Sequence, residues 1–314
     1  MNASLIILAA GLGSRYGGSK QTDPIGPHGE SLLDYAIHDS IQLGFSQLIF
    51  VISREMSADF PRQIHARWDT ALKQGGHTLQ IDFVIQDSND IPIRPKDSFG
   101  RKKPWGTAHA VWVCRHIVQH PFAIMNADDF YGRSSLKIML EHLQTFDKSP
   151  QDVITTPSPE ACLVVYPITH TLSNHGSVSR GLCRVEEGAL THIEEHPKIK
   201  RSQSTILSTR NNYIQELSDG ERVSMNLMGF NLSIFPILEQ LLIAFFSRVE
   251  PNDESECYIP SLLQELIDQG RLVSVLTTQE YWFGVTYRDD RAEVQARLIE
   301  LHEKNRYPSP VWMS

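Results

Sequence analysis

Residues 8–20 read LAAGLGSRYGGSK, with glycines at 11, 13, 17 and 18 and two cations, Arg15 and Lys20. The stretch comes directly after the apolar run Leu5 to Leu8. An apolar run that breaks into glycines and cations predicts a buried strand feeding a loop whose backbone and charges can approach phosphate. The next ten residues narrow the kind of loop. Pro24, Gly26, Pro27 and Gly29 keep the chain irregular, and helical spacing begins only near Ser31.

Two familiar phosphate loops do not fit. A dinucleotide-binding GxGxxG opens its helix at once and places an acid at the end of the second strand. Here the helix is delayed, and the second apolar run ends VISRE (51–55), with Arg54 where the acid belongs. A Walker A loop has Lys directly after its last glycine and then Ser or Thr. This chain has Gly18, Ser19, Lys20, Gln21. The remaining reading is a long loop around a whole nucleoside triphosphate. Ala9, Ala10, Gly11 and Gly13 leave room for base and sugar, while Arg15 and Lys20 face the β and γ phosphates.

Outward from this loop, GESLLDYAIHDSIQLG (29–44) repeats apolar residues at helical spacing and stops at Gly44. Leu48 to Ile52 is again apolar, which completes one βαβ unit. Further strands are predicted at 79–85, 122–127 and 162–167, separated by helical patterns at 55–74, 107–119 and 134–146. The resulting fold class is α/β, doubly wound, with a mostly parallel sheet. After about residue 170, GLCRVEEGALTHIEEH (181–196) alternates like an antiparallel hairpin turning at Glu187 and Gly188. Residues 198–222 read as a polar insertion or flexible loop, and 87–105 as a surface loop with a basic cluster. Helices at 233–247, 259–269 and 289–304 and short strands at 272–277 and 281–285 complete the chain. The organisation expected is a single domain: a nucleotide-binding half (1–150), a second half (151–290), and a C-terminal helix and tail (291–314).

The whole chain has 314 residues, 41% of them hydrophobic, enough for a substantial core. Its net charge of −8 argues against broad nucleic-acid or anionic-membrane binding. No run approaches a membrane span, and the four cysteines, Cys114, Cys162, Cys183 and Cys257, form no CxxC pair. These features predict a cytoplasmic protein with buried thiols.

LAAGLGSR followed by Lys20 resembles the glycine-rich signature of the sugar-1-phosphate nucleotidyltransferases, with their Rossmann-like nucleotidyltransferase fold. The resemblance continues in order. FVIQ (83–86) and PWGTAHAV (104–111) place Gln86, Gly106 and Thr107 where uridylyl- and thymidylyltransferases read the base, alongside Leu8, Ala9, Ala10, Gly11 and Gly13. A neutral amide has a donor and an acceptor, matching O4 and N3–H of uracil or thymine. FAIMNADDFYG (122–132) is similar to the strand that ends in a magnesium-binding Asp, which implies Asp128. HIEEHPK (192–198) resembles a hairpin strand ending Glu-Glu-Lys-Pro. It implies Glu195 for sugar hydroxyls, and His196 or Lys198 for the sugar phosphate. VSMNLMGF (223–230) adds Asn226 and Gly229. The family often has a second metal-binding Asp where this chain has Gly284, so that role passes to Asp289, with Thr286 and Tyr287 as alternatives.

The resemblance implies in-line attack of a sugar-1-phosphate oxygen on the α-phosphorus of UTP or dTTP, with pyrophosphate leaving. Arg15, Lys20 and Mg2+ on Asp128 would neutralise charge. Its implied partners are a nucleoside triphosphate and a sugar-1-phosphate, with a homo-oligomer left open. Two rivals stand beside it. One is a cytidylyl- or guanylyltransferase for another phosphate acceptor. The other, raised by His196 and Gly284, is a catalytically silent nucleotide-sugar-binding regulatory protein.

Overall fold

Leu5, Ile6 and Ile7 have no exposed surface, and alternate residues of the run serve two different cores. Leu5, Ile7 and Ala9 join one apolar cluster, whereas Ile6 and Ala10 join a second. A strand whose two faces are both dry must lie inside a sheet covered on both sides. The computed structural model, which describes residues 2–11, 23–74, 79–93, 103–146, 161–211, 213–249 and 254–313, shows this arrangement.

The first half runs β1 (Ser4–Leu8), α1 (Leu32–Leu43), β2 (Gln47–Ile52), α2 (Phe60–Gln74), β3 (Gln80–Ile85), α3 (Thr107–Trp112), β4 (Phe122–Asn126), β5 (Asp129–Phe130) and α4 (Arg133–Phe146). Ser31 opens α1, and its backbone N–H donates to the Asp34 carboxylate at 2.8 Å. Gly44, at φ 88°, closes it by donating to the Ser40 and Ile41 carbonyls. β1 lies between β2 and β4, parallel to both, and β2 pairs in parallel with β3. The order is thus β3-β2-β1-β4, and the chain reverses its direction of growth between β1 and β4.

The second half runs β6 (Ala161–Pro167), β7 (Val178–Glu186), β8 (Ala189–Ser202), β9 (Thr205–Arg210), β10 (Tyr213–Leu217), β11 (Arg222–Phe230), α5 (Ile234–Phe246), α6 (Ile259–Asp268), β12 (Val273–Thr277), β13 (Phe283–Gly284) and α7 (Asp290–Glu303). It extends the same sheet in the order β4-β11-β6-β12-β8-β9-β10, with β7 lying across β11 and β8. α1, α2, α4 and α7 supply the cluster on one face, and α3, α5 and α6 the other. No helix among the described residues is long and apolar enough to cross a membrane.

Two expectations change. The sheet is mixed rather than mostly parallel: among the described residues four pairings are parallel and seven antiparallel. β6, with all seven residues buried, runs in the same direction as β4 and pairs in parallel with β12, but β11 inserts between β4 and β6 antiparallel to both. Residues 198–222 are not a loop but the end of β8 followed by β9, β10 and the start of β11. They are polar because one face of this outer ribbon is in water, while Ile199, Ile206, Ser208 and Leu217 are buried.

Candidate active site

In an open α/β sheet, ligands bind beyond the carboxyl ends of the strands at the point where strand order reverses. Here that point is the end of β1, where Leu8, Ala9, Ala10 and Gly11 leave the sheet between β2 and β4. Ala9 donates to the Val51 carbonyl at 2.8 Å, and Ala127 donates to that of Leu8 at 3.1 Å, so this segment stays tied to both neighbours. Among the described residues, a side chain on Gly11 would meet nothing within 4 Å. Gly13, Arg15 and Lys20 lie outside the described residues. Asp23 is ion-paired with Arg291 of α7, and the Pro24 carbonyl accepts from the same guanidinium at 2.5 Å. Nothing in the local sequence signalled this anchor, which joins residues 268 positions apart.

At the end of β3, Gln86 is held in one orientation. Its Nε2 donates to the Gly106 carbonyl at 3.0 Å and lies 3.3 Å from Nδ1 of His109. His109 is fully buried, and desolvation lowers its pKa, so its ring is neutral. Its Nε2 faces the Asp90 carbonyl at 2.7 Å and must carry the proton, which leaves Nδ1 as an acceptor. Both amide hydrogens of Gln86 are therefore engaged, and its carbonyl oxygen is the group it offers. This corrects the expectation of one donor and one acceptor. Gly106 has φ 99° and passes so close to Cys257 that a Cβ would lie 2.3 Å from the carbonyl oxygen. The Thr107 hydroxyl accepts from Ile259 N at 3.0 Å, fastening the start of α3 to that of α6.

Asp128 comes just after β4, partly buried, at the strand end beside the Leu8–Gly11 segment. Its neighbour Asp129 is buried, accepts from Asn126 Nδ2 at 2.8 Å, and pairs across to Gly284. A Cβ at Gly284 would stand 2.6 Å from the Asp129 carboxylate. The carboxylate thus fills space that a side chain at 284 would need. Asp289 is exposed at the start of α7. Its neighbour Asp290 is buried, accepting from Ser173 Oγ at 2.6 Å and from the backbone of Thr286 and Tyr287. Among the described residues no group of three or more His, Cys, Asp or Glu side chains is placed to hold a metal.

The second half reaches the site through breaks in strand regularity. β11 bulges between Ser224 and Met228, and Asn226 there takes φ 64°, a left-handed conformation that Asn tolerates better than most residues. On β8, Glu195 is exposed and accepts from Ser179 Oγ at 2.5 Å, with Lys198 exposed beyond it. His196 points to the opposite face. It is buried, with Nδ1 2.7 Å from Ser208 Oγ and Nε2 3.4 Å from Glu194, so it is removed from the sugar-phosphate position expected for it. Gly229 is corrected as well. It lies in mid-sheet beneath α4, where a Cβ would come within 2.6 Å of Met139 Sδ and 2.7 Å of Cys162 Sγ. Close packing, not a ligand, demands glycine there.

The family described as nucleotidyl transferase matches residues 4–299, and the chain belongs to it. It is accordingly a nucleotidyltransferase, an enzyme of the class to which the glycine loop and the strand-end acids pointed. Solved structures share the fold at low identity. A UDP-glucose pyrophosphorylase complexed with UDP-glucose has a TM-score of 0.60 at 16% identity, covering 96% of this chain and 99% of the other. A protein assigned as a glucose-1-phosphate thymidylyltransferase of Bacillus anthracis, in complex with sucrose, gives 0.59 at 12%, covering 94% and 95%. The inositol-1-phosphate CTP transferase of T. maritima gives 0.56 at 15%, covering 96% and 97%. No curated protein matches the chain in sequence.

Proposed function

We propose that the enzyme transfers a uridylyl or thymidylyl group from UTP or dTTP to a sugar-1-phosphate, releasing pyrophosphate. The observation that carries this reading is Gln86. With both amide hydrogens committed, its carbonyl oxygen accepts from a base N–H. N3–H of uracil or thymine supplies that donor, whereas N3 of cytosine is itself an acceptor and would be repelled.

The base lies between Gln86 and the Leu8–Gly11 segment. The triphosphate lies along the loop that carries Arg15 and Lys20, whose charges oppose the leaving pyrophosphate. Glu195 and Asn226 hold the sugar, and Lys198, from the exposed side of β8, contacts its phosphate. The nucleophile is already an anion, so no general base is required. The protein's task is to align two mutually repelling anions and balance the charge developing on the leaving group. A magnesium ion fits Asp128, because this cation is commonly held by one or two carboxylates together with substrate phosphates and water, and needs no cage of three protein ligands. When bound it would neutralise triphosphate charge. One sheet runs through both halves, which supports treating the chain as a single domain.

The test is pyrophosphate release by the pure protein with Mg2+, a panel of triphosphates and a panel of phosphorylated acceptors. The expected result is release with UTP or dTTP and a sugar-1-phosphate, reduced by about a thousandfold or more in Asp128→Ala, as loss of a principal transition-state charge partner requires. Turnover with CTP and a polyol phosphate alone would replace this reading with the cytidylyltransferase one. Nucleotide-sugar binding without any pyrophosphate would replace it with the silent regulator.

A further inference from the structure

On the face of β7 opposite Glu195, Arg180 projects into the space between the 168–173 turn, β13 and α7. It is 6% exposed and makes no ion pair among the described residues. One terminal nitrogen donates to the Ser179 carbonyl at 2.7 Å and the other to that of Thr171. Nε has no partner. The Trp282 ring centre is 4.6 Å from the guanidinium carbon, and the indole N–H, also buried, has no partner either. Both residues line a small cleft of about 30 Å³ that opens to solvent, bounded further by Ser173, Gly284 and Arg297.

The acids around this cleft are already committed. Asp290 accepts from Ser173 and two backbone N–H groups, and Glu293 is paired with Arg297 at 2.7 Å and bonded by Asn174 at 3.0 Å. Burial pulls the Arg180 pKa down to about 10, against the attraction of Asp129, Glu195 and Asp290. A buried cation with no carboxylate in ion-pair contact among the described residues and two buried N–H donors without acceptors are each costly. One ligand group bearing negative charge and several lone pairs would satisfy all three.

We infer that this cleft binds an oxyanion, a phosphate or carboxylate group, on the N–H donors of Arg180 and Trp282. The position is separate from the strand-end site but adjacent to it. Gly284 lines the cleft and also pairs with Asp129, so an occupant lies directly behind the turn that presents Asp128.

The ligand is either a free inorganic anion or the acidic group of a small organic molecule, and titration calorimetry on the full chain separates them. Inorganic phosphate, acetate and a hexose 6-phosphate are titrated into the wild type and into an Arg15→Ala, Lys20→Ala variant, which removes binding at the triphosphate loop. Saturable binding is expected in both. Trp282→Phe keeps the ring and deletes the N–H, and should weaken that binding about tenfold or more, the usual scale for a hydrogen bond to a charged group. Arg180→Gln should abolish it. Equal affinity for inorganic phosphate and hexose 6-phosphate identifies the free anion. Tighter hexose 6-phosphate identifies an organic phosphate, and tighter acetate a carboxylate. Should Arg180→Gln fail to fold, Trp282→Phe decides alone. No saturable binding of any probe at millimolar concentration, or binding unaltered by Trp282→Phe, overturns the inference.

Discussion

Residues 4–146 and 161–277 build one sheet by different means, and they present functional groups differently as a result. In the first half most candidate contacts stand where a parallel strand stops, Leu8 to Gly11 at the end of β1, Gln86 after β3 and Asp128 after β4, while Gly106 and Thr107 open α3. In the second half most pairings are antiparallel, that of β6 with β12 excepted, and the candidate contacts stand within strands. Asn226 occupies the bulge of β11, and Glu195 and Lys198 flank the register shift in which Arg180 faces His196 but Val178 faces Ile199. A parallel sheet gathers its strand ends on one edge, where side chains are free to meet a ligand. An antiparallel ribbon has no such edge, and must interrupt its own pairing to turn a polar group outward.

This contrast can be broken by substitutions that separate packing from contact. The largest effect is expected at Gly106→Ala, where the added carbon would meet the Cys257 carbonyl at 2.3 Å from a backbone with φ 99°. Combining a steric clash with a glycine-only conformation predicts a loss of about 4 kcal/mol in urea unfolding. An unchanged melting profile would show that the α3–α6 junction yields freely.

A second effect concerns α1, on which the C-terminal tail docks. Burial lowers the His38 pKa to about 4 and raises that of Asp39 to about 6. His38 is stabilising when neutral, so its contribution is complete above 6.5 and is lost as pH falls towards 4. Asp39 has a raised folded pKa, so its protonation favours the folded state as pH falls through 6. The two oppose each other. Compared with wild type, His38→Asn should lose less stability between pH 6.5 and 4.5, and Asp39→Asn should lose more, by at most about 3 kcal/mol in each direction at 1.36 kcal/mol per pKa unit. Denaturation at the two pH values reads both, and equal slopes in all three proteins would remove the pair as a source of pH dependence.

Gly229→Ala should cost about 2 kcal/mol by overpacking against Met139 and Cys162, with KM for the sugar phosphate unchanged. A raised KM at unaltered stability would return Gly229 to the sugar pocket. The smallest effect is at the bulge. Asn226→Gly keeps the left-handed backbone and removes only the side chain, so KM for the sugar phosphate should rise about tenfold, the equivalent of one lost hydrogen bond, while stability moves by less than about 1 kcal/mol.

The first half was largely legible because its signals are local. Apolar runs, helical spacing and Gly44 placed β1, α1 and β2 within a residue or two, and the acids read as following a strand do follow β4. The second half was legible only as elements. The turn at Glu187–Gly188 was readable, but the insertion of β11 antiparallel between β4 and β6 was not, since strand order is set by pairing between residues distant in sequence. Residues 198–222 failed for a related reason: Lys198, Lys200, Arg201 and Arg210 lie on exposed positions of the ribbon, and their charge masked the strands.

What the sequence determined by itself was the class of chemistry, because the spacing of glycines, cations and strand-end acids is a property of consecutive residues. What only the tertiary structure decided was which polar groups are available. The Gln86 amide is half consumed by Gly106 and His109, and His196 by Ser208. Gly229 sits under α4, and Asp129 fills the space beside Gly284. Each of these outcomes depends on a partner distant in sequence or on another strand, and a side chain's hydrogen-bonding capacity is settled only when that partner has taken its share.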